Sequence, residues 1–195
     1  MKVGSNNYSY SVVKMFINQF ALAIFGSSLT FATAEAHTSF QIIVSVFSMC
    51  FYLFLIYNIA WEIGARDKIS VDVKKKPYRP YLGIVLSLLA NIPNLILVII
   101  YAITTITRAA SAKAMVGLFS CLLNGMYWGL LRTIRIPFQG ETVALQAFWV
   151  SFLVATLPAI ITSGIAYYLG HKNFKFFGFI TDKKPKVTDE RPNMK

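Results

Sequence analysis

Long apolar stretches separated by short polar or charged connections dominate this sequence. A helix that crosses a membrane needs roughly 20 apolar residues. Three uncharged or nearly uncharged stretches satisfy that length: Phe40 to Ile63, Tyr81 to Thr107 and Phe148 to Gly170. A fourth, Val12 to Thr33, is interrupted near its start by Lys14, Asn18 and Gln19. The pattern predicts an all-α fold, a polytopic integral membrane helical bundle.

A fifth apolar stretch, Ala114 to Leu131, is short and rich in glycine. Lys and Arg concentrate on the cytoplasmic side of membrane proteins. The connection from Arg66 to Arg79 is strongly basic, and so is the tail after Gly170. If the fifth stretch crossed the membrane, these two basic segments would lie on opposite sides and the charge bias would disappear. We therefore expect four transmembrane helices plus one short re-entrant segment, with both termini cytoplasmic at the cell membrane; a fifth transmembrane segment is the alternative.

The third predicted helix contains the motif Ala-Asn-Ile-Pro-Asn, residues 90–94. Pro93 has no amide hydrogen and its ring collides with the carbonyl of Leu89, so the helix must bend there. Hydrocarbon offers no partner for the freed carbonyls, whereas Asn91 and Asn94 can donate to them or to another helix. One interpretation is a repaired kink that holds helices together. The other is a polar cavity at a broken helix, as in transporters.

The second interpretation defines residues that could line a path for a substrate or an ion. Asn124 lies in the short fifth stretch, and Glu62 lies at the cytoplasmic end of the second helix. Glu62 is most simply an anchor that pairs with Arg66 four residues later, but a carboxylate could also mark the mouth of a cation path. The path candidates are Asn91, Pro93, Asn94, Asn124 and Glu62.

The first predicted helix carries small and polar residues at alternating steps of four and three. Such a repeat lets two helix backbones approach closely. It predicts a helix-packing seam, formed by Gln19, Ala23, Gly26 and Thr30. A polar face of the second helix, which includes Gln41, Ser45, Ser48 and Tyr52, could pack against the first or the third helix.

Charge adds a lipid partner to this picture. The 195 residues include 19 Lys and Arg against 8 Asp and Glu, and 56% are hydrophobic. In a chain with so many apolar stretches, the basic residues are expected to contact anionic lipid headgroups and not nucleic acid. The sequence also has no motif of the kind that proteins use to read a nucleic-acid groove. Two segments combine basic and aromatic residues, one around Lys74 to Arg79 and one around Lys172 and Lys175. Either segment could dock a soluble partner instead of lipid. The residues expected to contact anionic lipid are Lys74, Lys75, Lys76, Arg79, Lys172 and Lys175.

Motifs for catalysis are missing from the sequence. It has no HExxH, no GxSxG and no glycine-rich phosphate loop, the patterns that serve metal, nucleophilic and nucleotide chemistry. Glu35 and His37 are close in sequence, but two groups are too few for a metal site. Cys50 and Cys121 lie in apolar stretches and are expected to be buried and unpaired. We therefore expect no catalytic residue, no metal and no cofactor.

These observations predict one membrane domain over residues 1–183 and a disordered, basic cytoplasmic tail over residues 184–195. Ala32-Thr33-Ala34 resembles the small-residue site of a secretory signal, but the long, polar-spotted first stretch favours a retained helix. The leading functional hypothesis is a small non-enzymatic membrane subunit that packs laterally against a membrane protein partner or a second copy. The alternatives are a small-solute or ion transporter with its path at the broken third helix and, least favoured, a membrane enzyme.

Overall fold

Helices make up most of the chain. The computed structural model describes residues 8–73, 77 and 79–174. Its helices, in order, are α1 (Tyr8–Ala32), α2 (Thr38–Asp72), α3 (Leu82–Ala90), α4 (Ile92–Ile106), α5 (Ala110–Leu123), α6 (Gly125–Thr133) and α7 (Trp149–His171). Between α6 and α7 lie strands β1 (Arg135–Phe138) and β2 (Glu141–Ala144) and one short 3-10 turn, Leu145–Ala147. The predicted helical character is confirmed.

Several of these helices could cross a membrane. By length and composition, α1, α2 and α7 qualify on their own. The pairs α3–α4 and α5–α6 qualify as pairs, but the first is bent by 58° and the second by 118°. Within the described residues the chain therefore has three helices suited to crossing, or up to five if each bent pair counts as one.

The predicted bend in the third apolar stretch is present and lies at Asn91. Asn91 ends α3, where its backbone N–H donates to the carbonyls of Ser87 and Leu88 at 3.0 and 3.1 Å. Pro93 follows as the second residue of α4. In the first turn of a helix the missing amide hydrogen of proline has no carbonyl to bond, so it costs nothing there. The proline therefore sets where α4 begins.

The second helix is longer than the sequence pattern predicted. It continues past Ile63 to Asp72, so Arg66 is helical instead of beginning a connection. No proline interrupts the chain before Pro77, and the Glu62 carboxylate bonds the Arg66 guanidinium one turn later. Pairs at this spacing support a helix that has left the apolar region.

The expectation of an all-α fold is wrong for residues 135–144. These residues form an antiparallel hairpin in which Phe138 pairs with Glu141. The two residues between them have positive φ angles, 51° at Gln139 and 87° at Gly140. That is the two-residue turn whose twist matches paired strands. The glycine makes the second of these conformations accessible without steric cost.

Polar side chains lie inside the bundle and large apolar side chains cover much of its outside. Ile96, Ile99 and Ile103 of α4 are each more than half exposed. Asn94 and Ser163, by contrast, are almost completely buried. The interior is therefore where hydrogen-bonding chemistry is concentrated.

Candidate functional site

Four buried amide side chains meet where the two bent helix pairs are broken. Asn91 and Asn124 are the residues at the two breaks. Asn94 lies in the first turn of α4, and Gln19 lies in the middle of α1. Their exposed fractions are only 1 to 3%. We call Gln19, Asn91, Asn94 and Asn124 the amide cluster.

The centre of the amide cluster is a reciprocal pair. The Asn94 Nδ2 donates to the Asn124 Oδ1 at 3.0 Å, and the Asn124 Nδ2 donates to the Asn94 Oδ1 at 2.7 Å. Each side chain thus satisfies both a donor and an acceptor of the other. The pair joins α4, just after its break, to the break between α5 and α6.

The remaining bonds of the amide cluster repair the breaks themselves. The Asn91 Nδ2 donates to the Ser87 carbonyl at 2.9 Å, and the Asn124 Nδ2 donates to the Ser120 carbonyl at 2.9 Å. Each asparagine thereby takes up a carbonyl in the last turn of the helix that it ends. The Gln19 Nε2 donates to the Asn91 Oδ1 at 3.1 Å, so α1 is tied to the break at Asn91. All four amides have hydrogen-bond partners within the chain.

The small-residue seam of α1 lies against α6 of the same chain. A Cβ atom at Gly26 would lie only 2.6 Å from the carbonyl carbon of Gly125, and one at Gly125 would collide with the Ala23 carbonyl oxygen. The Thr30 hydroxyl donates to the Gly26 carbonyl at 2.9 Å. Close approach of these two backbones places α1 beside the break at Asn124, the residue before Gly125.

Three cavities within the described residues lie away from the amide cluster. The largest, about 480 Å³, includes Tyr101 and Trp128 in its wall. A second, about 370 Å³, is almost wholly apolar and includes Pro158. A third, about 160 Å³, includes Asp67. No member of the amide cluster lines any of these three, although residues of α5 and α6 line the two larger ones.

The third cavity surrounds the one buried carboxylate among the described residues. Asp67 is 5% exposed. The Tyr8 hydroxyl donates to the Asp67 Oδ1 at 3.1 Å, and the Tyr167 hydroxyl donates to the Asp67 Oδ2 at 3.0 Å. Three helices, α1, α2 and α7, each supply one of these side chains. Two phenol donors on a carboxylate hold its oxygens in fixed positions, because each donor prefers a near-linear bond.

Close helix packing places the Tyr167 ring. A Cβ atom at Gly83 would lie 2.5 Å from the Tyr167 Cβ, and one at Gly64 would lie 3.0 Å from the Tyr167 carbonyl carbon. The Ser163 hydroxyl donates to the Gly83 carbonyl at 2.8 Å, one turn before Tyr167. The glycines let α2 and α3 close around α7, and this directs the Tyr167 hydroxyl at Asp67.

The wall of the Asp67 cavity is completed by residues of mixed character. Tyr8, Asp67, Arg79 and Tyr167 supply its polar part; Val71 and Pro77 supply apolar surface. Arg79 is one of the residues predicted to contact anionic lipid. Arg79 therefore lines the same cavity as the buried Asp67 carboxylate.

Glu62, a path candidate, lies at the surface among cations. Its carboxylate bonds the Arg66 guanidinium, and the Lys14 Nζ lies 3.7 Å away. Its side chain is 44% exposed. Its described partners are these two cations, and the structure does not bring it into the amide cluster.

The predicted lipid-contacting residues are described only in part. The Lys172 Nζ lies 4.7 Å from the centre of the Tyr168 ring, a cation–π arrangement. Lys74, Lys75, Lys76 and Lys175 lie outside the described residues, as does the predicted tail over residues 184–195.

Asp67 was not singled out by sequence reasoning, although a signal for it exists. The face of α2 that carries Ser45, Ser48 and Tyr52 continues to Ile63, and all four residues are buried. Asp67 follows Ile63 by one turn and stays on that buried face. The helical period alone, extended beyond the apolar stretch, would have placed it inside.

Comparison with known proteins adds no assignment. A scan against models of protein families found no match, and searches of curated proteins and of solved structures returned no similar chain. Within the described residues, no three His, Cys, Asp or Glu side chains gather as ligands for a metal ion.

Proposed function

We propose that this chain is a small non-enzymatic integral membrane protein that works as a subunit, packing laterally against a partner within the bilayer. In this topology α1, α2, the α3–α4 pair and α7 cross the membrane. The α5–α6 pair turns back by 118° and re-enters from the outside. Both termini are then cytoplasmic, on the side favoured by the basic segments.

The distribution of side chains supports a bilayer environment. Backbone breaks at membrane depth are tolerated where they are buried in protein, and the breaks at Asn91 and Asn124 are buried. The side chain at each break is hydrogen-bonded inside the bundle, Asn91 to Gln19 and the Ser87 carbonyl and Asn124 to Asn94 and the Ser120 carbonyl. The interior amides then serve as a fixed internal support, which leaves the outer surface to carry the function.

A cluster of phenylalanines on the outer face of α1 and α2 is the observation that carries the subunit proposal. The Phe25 and Phe51 rings lie 6.3 Å apart, and the Phe47 and Phe51 rings lie 6.2 Å apart. All three are between 39 and 58% exposed. The outer faces of α4 and α7 instead carry exposed aliphatic residues, such as Ile99 and Ile161.

This contrast between faces favours a protein neighbour for the aromatic one. Phenylalanine is enriched at protein interfaces, and aromatic pairs contribute about 0.5–1.5 kcal/mol beyond the area they bury. Lipid tails offer no rings to pair with. We call Phe25, Phe47 and Phe51 the phenylalanine cluster and assign it as the partner-facing surface.

Site-specific photo-crosslinking tests this assignment in the native cells. The photoreactive phenylalanine analogue p-benzoylphenylalanine replaces Phe47 in one variant and Ile99 of α4 in the matched control. We expect a discrete adduct, to a second copy or to one membrane protein, only from position 47. Replacing Phe25 and Phe51 with leucine should remove that adduct while the protein level stays the same. Absence of an adduct at position 47, or the same adduct from position 99, contradicts the proposal.

A transport function is the second candidate, and the paired helix breaks favour it. Two broken helix pairs that meet near the centre of a bundle are typical of transporter binding sites. The hydroxyls of Ser27 and Ser120 are also buried, without a hydrogen-bond partner in the described part of the chain. This candidate predicts solute or ion flux into proteoliposomes that the paired substitution Asn91→Leu with Asn94→Leu abolishes in a folded protein. Flux that is unchanged in that variant removes the candidate.

A further inference from the structure

The largest of the three cavities follows one face of α5 and changes character along it. Its wall includes Lys113, Gly117 and Cys121, which lie at successive turns of that helix. The rise from Lys113 to Cys121 is about 12 Å. Leu118 adds apolar surface beside Gly117, and a buried cysteine behaves as a small apolar residue. The wall is therefore cationic where α5 begins and apolar toward the break at Asn124.

The polar end of this cavity offers hydrogen-bond donors. Among the described residues, no carboxylate lines the cavity, and none forms an ion pair with the Lys113 Nζ. Gln146, also in the wall, accepts at its Oε1 from the Trp128 indole N–H at 2.9 Å. That bond identifies the other side-chain atom as Nε2, which has no partner within the part of the chain that the structure describes. A positive charge beside unused N–H donors is complementary to an anion.

Tyr101 holds the connection before α7 against this face of α5. Its hydroxyl donates to the carbonyls of Gln146 and Ala147 at 3.3 and 3.2 Å. A Cβ atom at Gly117 would lie 3.5 Å from the same hydroxyl oxygen. Gly117 follows Lys113 by about one helical turn, so Lys113 and Gln146 belong to the same end of the cavity.

The size of the cavity matches one hydrocarbon chain. An apolar cavity of about 150 Å³ holds one benzene ring, and this cavity measures about 480 Å³. In that proportion it accommodates about 18 carbon atoms, which is one long acyl chain and not the two chains of a phospholipid. Leu118 in the wall is 52% exposed, so a chain in the bilayer can enter from the side.

We propose that this cavity binds a long-chain carboxylate, with its carboxylate group on Lys113 and Gln146. The hydrocarbon chain follows Gly117, Leu118 and Cys121 along α5. A carboxylate brings one negative charge and two acceptor oxygens, which match one ammonium and one amide N–H₂ group. In the proposed topology α5 begins at the outer side of the membrane, so the polar end of the cavity lies in the outer headgroup layer. The inference rests on that membrane location, but it does not depend on lateral packing or on the phenylalanine cluster.

Fluorescence quenching in phosphatidylcholine proteoliposomes tests the inference. The full chain with Trp61→Phe and Trp149→Phe keeps one tryptophan, Trp128, which lies in the cavity wall. The probes are dibromostearate, its methyl ester and dibrominated phosphatidylglycerol, since bromine quenches indole fluorescence on contact. We expect dibromostearate to reach half-maximal quenching at about a tenfold lower mole fraction than the ester, the effect expected for a hydrogen bond to a charged group. Equal quenching by acid and ester, or phosphatidylglycerol that quenches at least as well as the acid, overturns the proposal.

Variants assign the quenching to the cavity. Lys113→Gln should raise the half-quenching mole fraction of dibromostearate to that of the ester. Arg108→Gln is the matched control, because Arg108 is an exposed cation just before α5 and outside the cavity wall, and it should leave the quenching unchanged. Ala114→Leu narrows the path of the chain at an exposed wall position and should weaken dibromostearate without disturbing the buried core. Unchanged quenching in Lys113→Gln or Ala114→Leu, or an equal loss in Arg108→Gln, contradicts the site.

Discussion

The reciprocal asparagine pair should contribute measurable coupling to stability. Asn94→Leu removes both bonds between Asn94 and Asn124, at 3.0 and 2.7 Å, with little change in side-chain volume. The Asn124 Nδ2 keeps its bond to the Ser120 carbonyl. The Asn124 Oδ1, however, loses the Asn94 Nδ2 as its donor and stays buried inside the bundle. A buried polar group left unsatisfied costs about 1–3 kcal/mol. We expect the free energy of unfolding to fall by that amount in each single variant.

A double-mutant cycle separates the pair from its surroundings. Side-chain hydrogen bonds inside helical membrane proteins average about 0.6 kcal/mol and reach about 1.7 kcal/mol. Two such bonds predict a coupling energy of about 1–3 kcal/mol between positions 94 and 124. The double variant with leucine at both positions should therefore be less destabilised than the sum of the single variants, because it leaves no amide without its partner.

Equilibrium unfolding in mixed micelles, followed by circular dichroism, measures the four members of the cycle. Asn58→Leu is the matched control: Asn58 is exposed and its side chain bonds only the Phe54 carbonyl of its own helix, so we expect a change within about 0.5 kcal/mol. Distant, independent sites add to within about 0.3–0.5 kcal/mol. A coupling energy inside that range would refute the conclusion that the pair holds the two helix breaks together.

Two further predictions concern packing and topology. Gly125→Ala should lower the free energy of unfolding by about 1–3 kcal/mol in the same assay, because the new Cβ would collide with the Ala23 carbonyl oxygen. Gly117→Ala is the control and should not destabilise, since the nearest atom to its new Cβ would lie 3.5 Å away. Equal losses in the two variants would contradict the close approach of α1 and α6. In a chain freed of its native cysteines, an impermeant maleimide should label Ser39→Cys on intact cells and Asp72→Cys only after permeabilisation; the reverse pattern would contradict the proposed orientation.

The broken third stretch could be predicted because its cause is local. Pro93 removes one donor and blocks one carbonyl whatever surrounds it, so a bend was expected from residues 90–94 alone. The partner of Asn94 could not be predicted in the same way. Asn124 lies in another helix pair, and which groups meet depends on the two bend angles of 58° and 118°, which no local pattern specifies.

The hairpin at residues 135–144 was missed for a different reason. Its strands are four residues long and largely exposed, so they show no alternation of buried and exposed positions. The informative signal is the turn, where Gly140 follows Gln139 with positive φ at both residues. A glycine at the second turn position is typical of this hairpin class, but a glutamine before it is a weaker signal than asparagine or aspartate.

The burial of Asp67 was not predicted, because the residue is charged. A carboxylate between Arg66 and Lys68 in a basic segment is typical of a solvated helix surface, and burial of a charge is rare unless it is paired. Its burial follows from tertiary packing around Gly64 and Gly83, which brings the Tyr167 hydroxyl to the carboxylate. Helical periodicity extended past Ile63 indicates the correct face, but only the packed α1 and α7 supply the donors, Tyr8 and Tyr167.

Accessibility of the interior to a charged thiol reagent tests the central claim, that the helix breaks are closed to solvent by the buried amide cluster. Ser87→Cys and Ser120→Cys are nearly isosteric, and both serines are at most 2% exposed. Ser39→Cys, at an exposed position, is the reference. In a background without native cysteines, we predict that methanethiosulfonate ethylsulfonate modifies position 39 and leaves positions 87 and 120 unmodified in the folded protein. Modification of either buried position at a rate near that of position 39 would contradict the claim.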